Sequence, residues 1–207
     1  MKRIVILVTA LVLSAVTFAQ TPQEIIANME AEMEKYPGDA VIMTMDLKMP
    51  ILGTMSTRTW TVGNKIRLEG EAKGTKVITW IDDNTQWTYN SKDNQIVIEK
   101  HQPSKDEGGQ DDLKLFTGIT EGYDVTITKE TQDAWYMLCK KSKANTDKDA
   151  PKKMDLVVAK GTYMPISISA KLSGVGMTIR DISFDVTEKD VTFDPDAYPG
   201  VQIVDKR

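Results

Sequence analysis

The chain has 207 residues, with 26 Lys or Arg against 30 Asp or Glu and a formal charge of −4. That length fits one domain with a substantial core, and the acidic balance argues against nucleic acid as a partner. Cys139 is the single cysteine, which excludes an internal disulfide and fits a small buried apolar residue.

The first nineteen residues read as a secretory signal. Lys2 and Arg3 form a charged start, Ile4 to Val16 is apolar, and Thr17-Phe18-Ala19 offers a cleavage site. The apolar stretch is short for a membrane span. The mature part is expected to be one domain over residues 20–207.

Thr21-Pro22-Gln23-Glu24 is a helix start, with Thr21 as cap, Pro22 in the first turn and Glu24 completing a capping box. Ile26, Met29, Met33 and Tyr36 follow at helical spacing, and Pro37-Gly38 is the expected stop. From Val41 onward the pattern is almost entirely strand. Met43, Met45, Leu47 and Met49 alternate with Thr44, Asp46 and Lys48, the period of a strand with one dry face. A face made of unbranched, polarizable methionine fills gaps but specifies a core poorly. It suits an apolar guest of variable shape.

The strands are expected at 41–49, 54–62, 65–71, 75–81, 86–90, 95–100, 123–129, 134–140, 153–159, 164–172 and 175–186, about eleven in all. Gly63-Asn64 and Asp82-Asp83-Asn84 are turns, and neighbours joined so closely pair antiparallel. Ile66 and Leu68 share one face, as do Ile96 and Ile98, and as do Ile166, Ile168, Ala170 and Leu172. In the last long strand Val175, Met177 and Ile179 are odd-numbered, whereas Ile182, Phe184 and Val186 are even-numbered. A β-bulge near Arg180-Asp181 keeps both halves pointing inward. Pro103 to Gln110 is polar, and Asp111 to Phe116 reads as a short helix. So many strands with so little helix to cover them must close into a barrel, fold into a sandwich or leave a cavity.

Catalytic and metal chemistry find little support. His101 is the only histidine, and no Gly-x-Ser-x-Gly elbow is present. A zinc site of His and Cys ligands is excluded by counting. Asn145, Asp147 and Asp149 begin like a calcium loop, but Ala150 stands where glycine is needed and Leu156 where glutamate is needed. Turn formation and helix starts account for Asp82-Asp83 and Asp111-Asp112. No metal, no cofactor and no enzyme activity are expected. Trp60, Trp80, Trp87, Tyr89 and Trp135 all fall in strands and suit either an ordinary core or a cavity wall.

Two stretches carry a resemblance. Trp80-Ile81-Asp82-Asp83-Asn84-Thr85-Gln86-Trp87-Thr88-Tyr89-Asn90 resembles the aromatic hairpin of the outer-membrane lipoprotein carrier family, the LolA-like proteins. Val191-Thr192-Phe193-Asp194-Pro195-Asp196-Ala197-Tyr198-Pro199-Gly200-Val201-Gln202-Ile203-Val204-Asp205 resembles that family's ending. The resemblance implies an incomplete, strongly curved antiparallel β-barrel with a helical lid over a cavity for lipoprotein acyl chains. It implies a monomeric periplasmic carrier, working between an inner-membrane release complex and an outer-membrane acceptor. Family members often hold their lid with an arginine after the second or third strand. The matching Thr61-Val62-Gly63-Asn64 has none, and alternation puts Arg67 on the polar face.

The expected cavity wall is Met43, Met45, Leu47 and Met49 with Trp60, Ile66 and Leu68, continued by Trp87, Tyr89, Ile96 and Ile98. Met29 and Met33 face it from the helix. The alternatives are another lipid or amphiphile as guest, or a filled, non-catalytic β-sheet module that binds a protein partner through its edges. A secreted hydrolase using acidic residues ranks last, because no convergent pair of carboxylates is visible.

Overall fold

A computed structural model describes residues 20–36, 40–51, 53–101 and 118–207. The signal-like segment, the polar stretch from Pro103 and the expected helix from Asp111 lie outside the described residues. One helix opens the fold, α1 (Pro22–Met33). Thr21 accepts from the Glu24 amide at 3.2 Å and its own amide donates to the Glu24 carboxylate at 2.8 Å, so the capping box forms as read. The helix ends at Met33, before Pro37-Gly38 is reached.

Twelve strands follow and join one sheet. They are β1 (Ala40–Met49), β2 (Gly53–Val62), β3 (Lys65–Ala72), β4 (Thr75–Asp82), β5 (Thr85–Asn90) and β6 (Gln95–Lys100), then β7 (Tyr123–Glu130), β8 (Ala134–Lys141), β9 (Lys153–Ala159), β10 (Pro165–Leu172), β11 (Val175–Ser183) and β12 (Gln202–Asp205). Between β11 and β12 lie a single turn of helix, α2 (Glu188–Val191), and a 3-10 turn over Pro195–Ala197. The order across the sheet is β12-β6-β5-β4-β3-β2-β1-β11-β10-β9-β8-β7. Every pair is antiparallel except β12 with β6, which is parallel. The ends do not meet, so this is an incomplete curved barrel, with β12 one strand beyond the eleven expected.

The two halves of the sheet bury opposite faces. On the inner face, α1 covers β1 and β7 to β11. Ile25, Ile26, Met29 and Met33 pack there against Met43, Trp135, Met137, Cys139, Met154, Leu156, Val158, Ile168 and Ile179. On the outer face of β2 to β6, the C-terminal tail supplies the cover. Ile78, Trp80, Ile96 and Ile98 are buried there, as is Val191 of α2. Phe193 stacks on Trp87 with centroids 5.5 Å apart, and Tyr198 meets the Trp80 edge at 5.6 Å and Tyr89 at 5.0 Å.

The phase slip in β11 is a bulge. Thr44 pairs with Arg180, but Ile42 pairs with Ser183, and Asp181 takes a φ of +54°. Ile182 and Phe184 thereby turn inward against the α1 core. A second bulge, in β10, corrects the sequence reading. Pro165 pairs with Val158 and Ser167 with Val157, so Pro165 is buried and Ile166 is exposed rather than sharing a face with Ile168.

Left-handed backbone is tolerated by Asp but crowds a β-branched side chain, at about 1–2 kcal/mol. Asp181→Val should lower the urea-unfolding free energy by about that amount, and Asp181→Gly should not lower it. Equal losses for both variants would show that the Arg180–Asp181 contact, not the backbone, carries the position.

Candidate functional site

The cross-strand register decides which side chains share a wall. Met43, Met45, Leu47 and Met49 of β1 pair with Thr59, Thr57, Met55 and Gly53 of β2. Thr59 and Thr61 pair with Leu68 and Ile66 of β3, which pair with Thr79 and Ile81 of β4. Thr79 and Ile81 in turn pair with Thr88 and Gln86 of β5. These residues form the inner wall of the sheet's first half. Trp60 pairs with Arg67, Arg67 with Trp80, and Trp80 with Trp87, on the outer face. Ile98 lies opposite Trp87, and Ile96 opposite Tyr89.

The thirteen expected wall residues therefore separate into three groups. Met29, Met33 and Met43 come together in the α1 core, where Met29 is fully buried and the space between helix and sheet is filled. Met45, Leu47, Met49, Ile66 and Leu68 line the inner wall beyond that core and are half-buried. Trp60, Trp87, Tyr89, Ile96 and Ile98 do not join them. They face outward under the C-terminal tail, because each two-residue hairpin inverts the parity of the face from strand to strand.

The inner wall of β2 to β4 holds a hollow of about 250 Å³, lined by Met55, Thr57, Leu68, Gly70, Val77 and Thr79 among others. Its lining is mostly apolar. Sequence reasoning did not single out Met55, Val77 or the three threonines of β2. The signal was present in Thr57-Arg58-Thr59-Trp60-Thr61, an alternation read there only for its tryptophan. A second hollow of about 470 Å³ lies on the opposite, outer face of β1 and β9 to β11, lined by Asp46, Lys48, Lys153, Asp155, Lys171 and neighbours. It is polar. Asp46 accepts from Arg180 Nε at 2.7 Å and from Ser56 Oγ at 2.5 Å, and these bonds hold its carboxyl below the usual range.

Arg67 is not on a plain polar face. Its guanidinium lies 4.8 Å from the Trp60 ring centroid and 5.8 Å from that of Trp80. Nη1 donates to the Asp190 carbonyl of α2 at 3.3 Å, and Nη2 bonds Glu69. This arginine thus binds helix backbone, but the helix belongs to the C-terminal tail on the outer face.

Cys139 is buried and poorly placed to act as a nucleophile. Burial pushes the Cys139 thiol up to about 11, and no group of three or more His, Cys, Asp or Glu among the described residues could hold a metal. His101 ends the first half, its amide donating to the Asn84 carbonyl at 2.9 Å. The unfolded thiol ionises near its ordinary 9.0 and the folded one near 11, so the folded state holds its proton more tightly. Stability should therefore fall as pH rises across that interval, and Cys139→Ala should remove this dependence. Native protein at pH 8 should react with a thiol reagent far more slowly than unfolded protein does. Equal rates would place the thiol outside the core.

No family model matches the sequence, and no curated protein matches it. Solved structures do. LprF from Mycobacterium bovis is 10% identical, with a TM-score of 0.51 over 84% of this chain and 99% of that one. The Mycobacterium tuberculosis lipoprotein LppX is 10% identical, with a TM-score of 0.49 over 83% of this chain and 100% of that one. A LolA superfamily protein from Nitrosomonas europaea is 14% identical, with a TM-score of 0.32 over 86% of this chain and 100% of that one. The fold of this chain is shared with LprF.

Proposed function

We propose that the chain is an extracytoplasmic, non-catalytic carrier that shelters acyl chains of a lipid or lipoprotein on the open inner wall of its half-barrel. The observation that supports this reading is the wall itself. Met45, Leu47, Met49, Met55, Leu68 and Val77 share an inner wall outside the α1 core, and Met55, Leu68 and Val77 line its hollow. Such walls on soluble proteins mark binding surfaces. A LolA superfamily protein and a lipoprotein stand among the structures of similar fold.

Binding here makes and breaks no bond. Each methylene withdrawn from water contributes up to about 0.8 kcal/mol, so a run of about six gives ~5 kcal/mol. Lost freedom of the guest offsets part of that, which keeps hand-over possible. In this reading the guest arrives from an inner-membrane release complex, leaves for an outer-membrane acceptor, and is carried by a monomer in the periplasm. The packed space beneath α1 favours a second reading, a filled module that binds a protein partner. The two differ in whether the open wall takes up lipid.

Delipidated protein should bind a fluorescent acyl probe with an uncharged head saturably. Met45→Asp and Leu68→Asp should each weaken binding at least tenfold, whereas Lys171→Glu on the opposite face should leave it unchanged. Circular dichroism confirms that the variants are folded, and Leu68→Gln serves if the aspartate variant is not. Absence of saturable binding, or indifference to both inner-wall changes, would sink the carrier reading. Mass spectrometry of the protein purified from its own envelope would separate lipoprotein cargo from free lipid.

A further inference from the structure

An antiparallel sheet ordinarily keeps one face dry and lets the other carry its charges. In β2 to β5 this order is inverted. The packed outer face, under the C-terminal tail, holds Arg58, Lys65, Arg67 and Glu69 among its aromatics. The inward-facing positions of β2 to β5 carry no Asp, Glu, Lys or Arg, and the one charged residue bordering the hollow is the acidic Glu71, which would itself repel an anion. Its positions are Gly53, Met55, Thr57, Thr59 and Thr61 on β2, Ile66, Leu68, Gly70 and Ala72 on β3, Thr75, Val77, Thr79 and Ile81 on β4, and Gln86, Thr88 and Asn90 on β5. The first charge appears on β6, where Glu99 meets Lys206 at 3.4 Å.

The polar groups that do stand on this wall are neutral and available. Thr88 receives a bond from Gln86 at 3.2 Å. The hydroxyls of Thr57, Thr59 and Thr79 have no protein partner among the described residues and are not sealed from solvent. Thr59 and Thr79 flank Leu68 across the strands and Thr57 lies opposite Met45, so the hydroxyls are interspersed among the apolar side chains.

Resting on the carrier reading, we infer that this wall selects uncharged amphiphiles. The preferred guest has an acyl chain and a neutral, oxygen-rich head such as a glyceryl ester or a glycosyl group. The strip of Met45, Met55, Leu68 and Val77 takes the chain, and the threonine hydroxyls exchange hydrogen bonds with the head. A phosphate or carboxylate head would be desolvated on the wall with no cation to meet it, and an unpaired charge is costly to withdraw from water. Rejection of anionic lipid is therefore written into the wall by its missing charges.

Competition against the bound uncharged acyl probe tests this with the whole mature chain. Monoacylglycerol should displace the probe at concentrations at least tenfold below those of the same chain carrying a phosphate on the glycerol, or ending in a carboxylate. Thr79→Lys should abolish or reverse that preference. The joint change of Thr57, Thr59 and Thr79 to Val should weaken monoacylglycerol about fivefold relative to a plain hydrocarbon chain. Equal displacement by neutral and phosphate-headed competitors would overturn the inference while leaving the carrier reading intact. Failure of the probe to bind at all would overturn the carrier reading and this inference with it.

Discussion

Side chains on a strand alternate between two faces, and a twelve-stranded sheet has more apolar surface than one helix can cover. This chain meets that constraint by changing faces midway. α1 lies inside, across β1 and β7 to β11, while the C-terminal tail lies outside, across β2 to β6. Each half then has one core, and neither core spans the whole sheet. The inner wall of the first half is what remains uncovered by these two elements, and it is the part that the carrier reading assigns to a guest.

The outer core depends on Arg67. A guanidinium stacked against Trp60 and Trp80 is held by dispersion and by the ring quadrupoles, and it still has donors to give. One goes to the Asp190 carbonyl, which fixes α2 over β3 and leads Phe193 and Tyr198 onto Trp80, Trp87 and Tyr89. The tail then continues as β12 beside β6 and covers an edge that would otherwise present open backbone groups. Without that outer cover the aromatics would be exposed.

Most of the strand pattern was legible, because a period of two survives any tertiary context. The β11 bulge was legible for the same reason: Ile179 and Ile182 cannot both point inward without an inserted residue. The common wall of tryptophans, methionines and isoleucines was not a sound reading. Alternation gives the two faces of one strand but does not say which face matches the next strand's. That depends on the turn. Gly63-Asn64 is a two-residue loop that pairs Val62 with Lys65, so even positions of β2 lie beside odd positions of β3. The same arithmetic sends Trp60 to Arg67 and leaves Leu68 with Thr59. The β10 bulge at Ile166 gave no such signal, because Ile166 and Ile168 keep one parity in the sequence while the backbone between them does not.

The methionine strand stands at the seam between the two halves. Met43 is locked into the α1 core, while Met45 and Met49 on the same face reach the open wall. A β-branched residue at Met45 would transmit any displacement on the wall to its neighbours, since its rotamer is stiff. A thioether can turn about three bonds and absorb that displacement locally. In the carrier reading the seam would let the wall fit chains of different shape while Met29, Met33 and Met43 keep their packing. Rigidity in the core and compliance at its border come from adjacent residues of one strand.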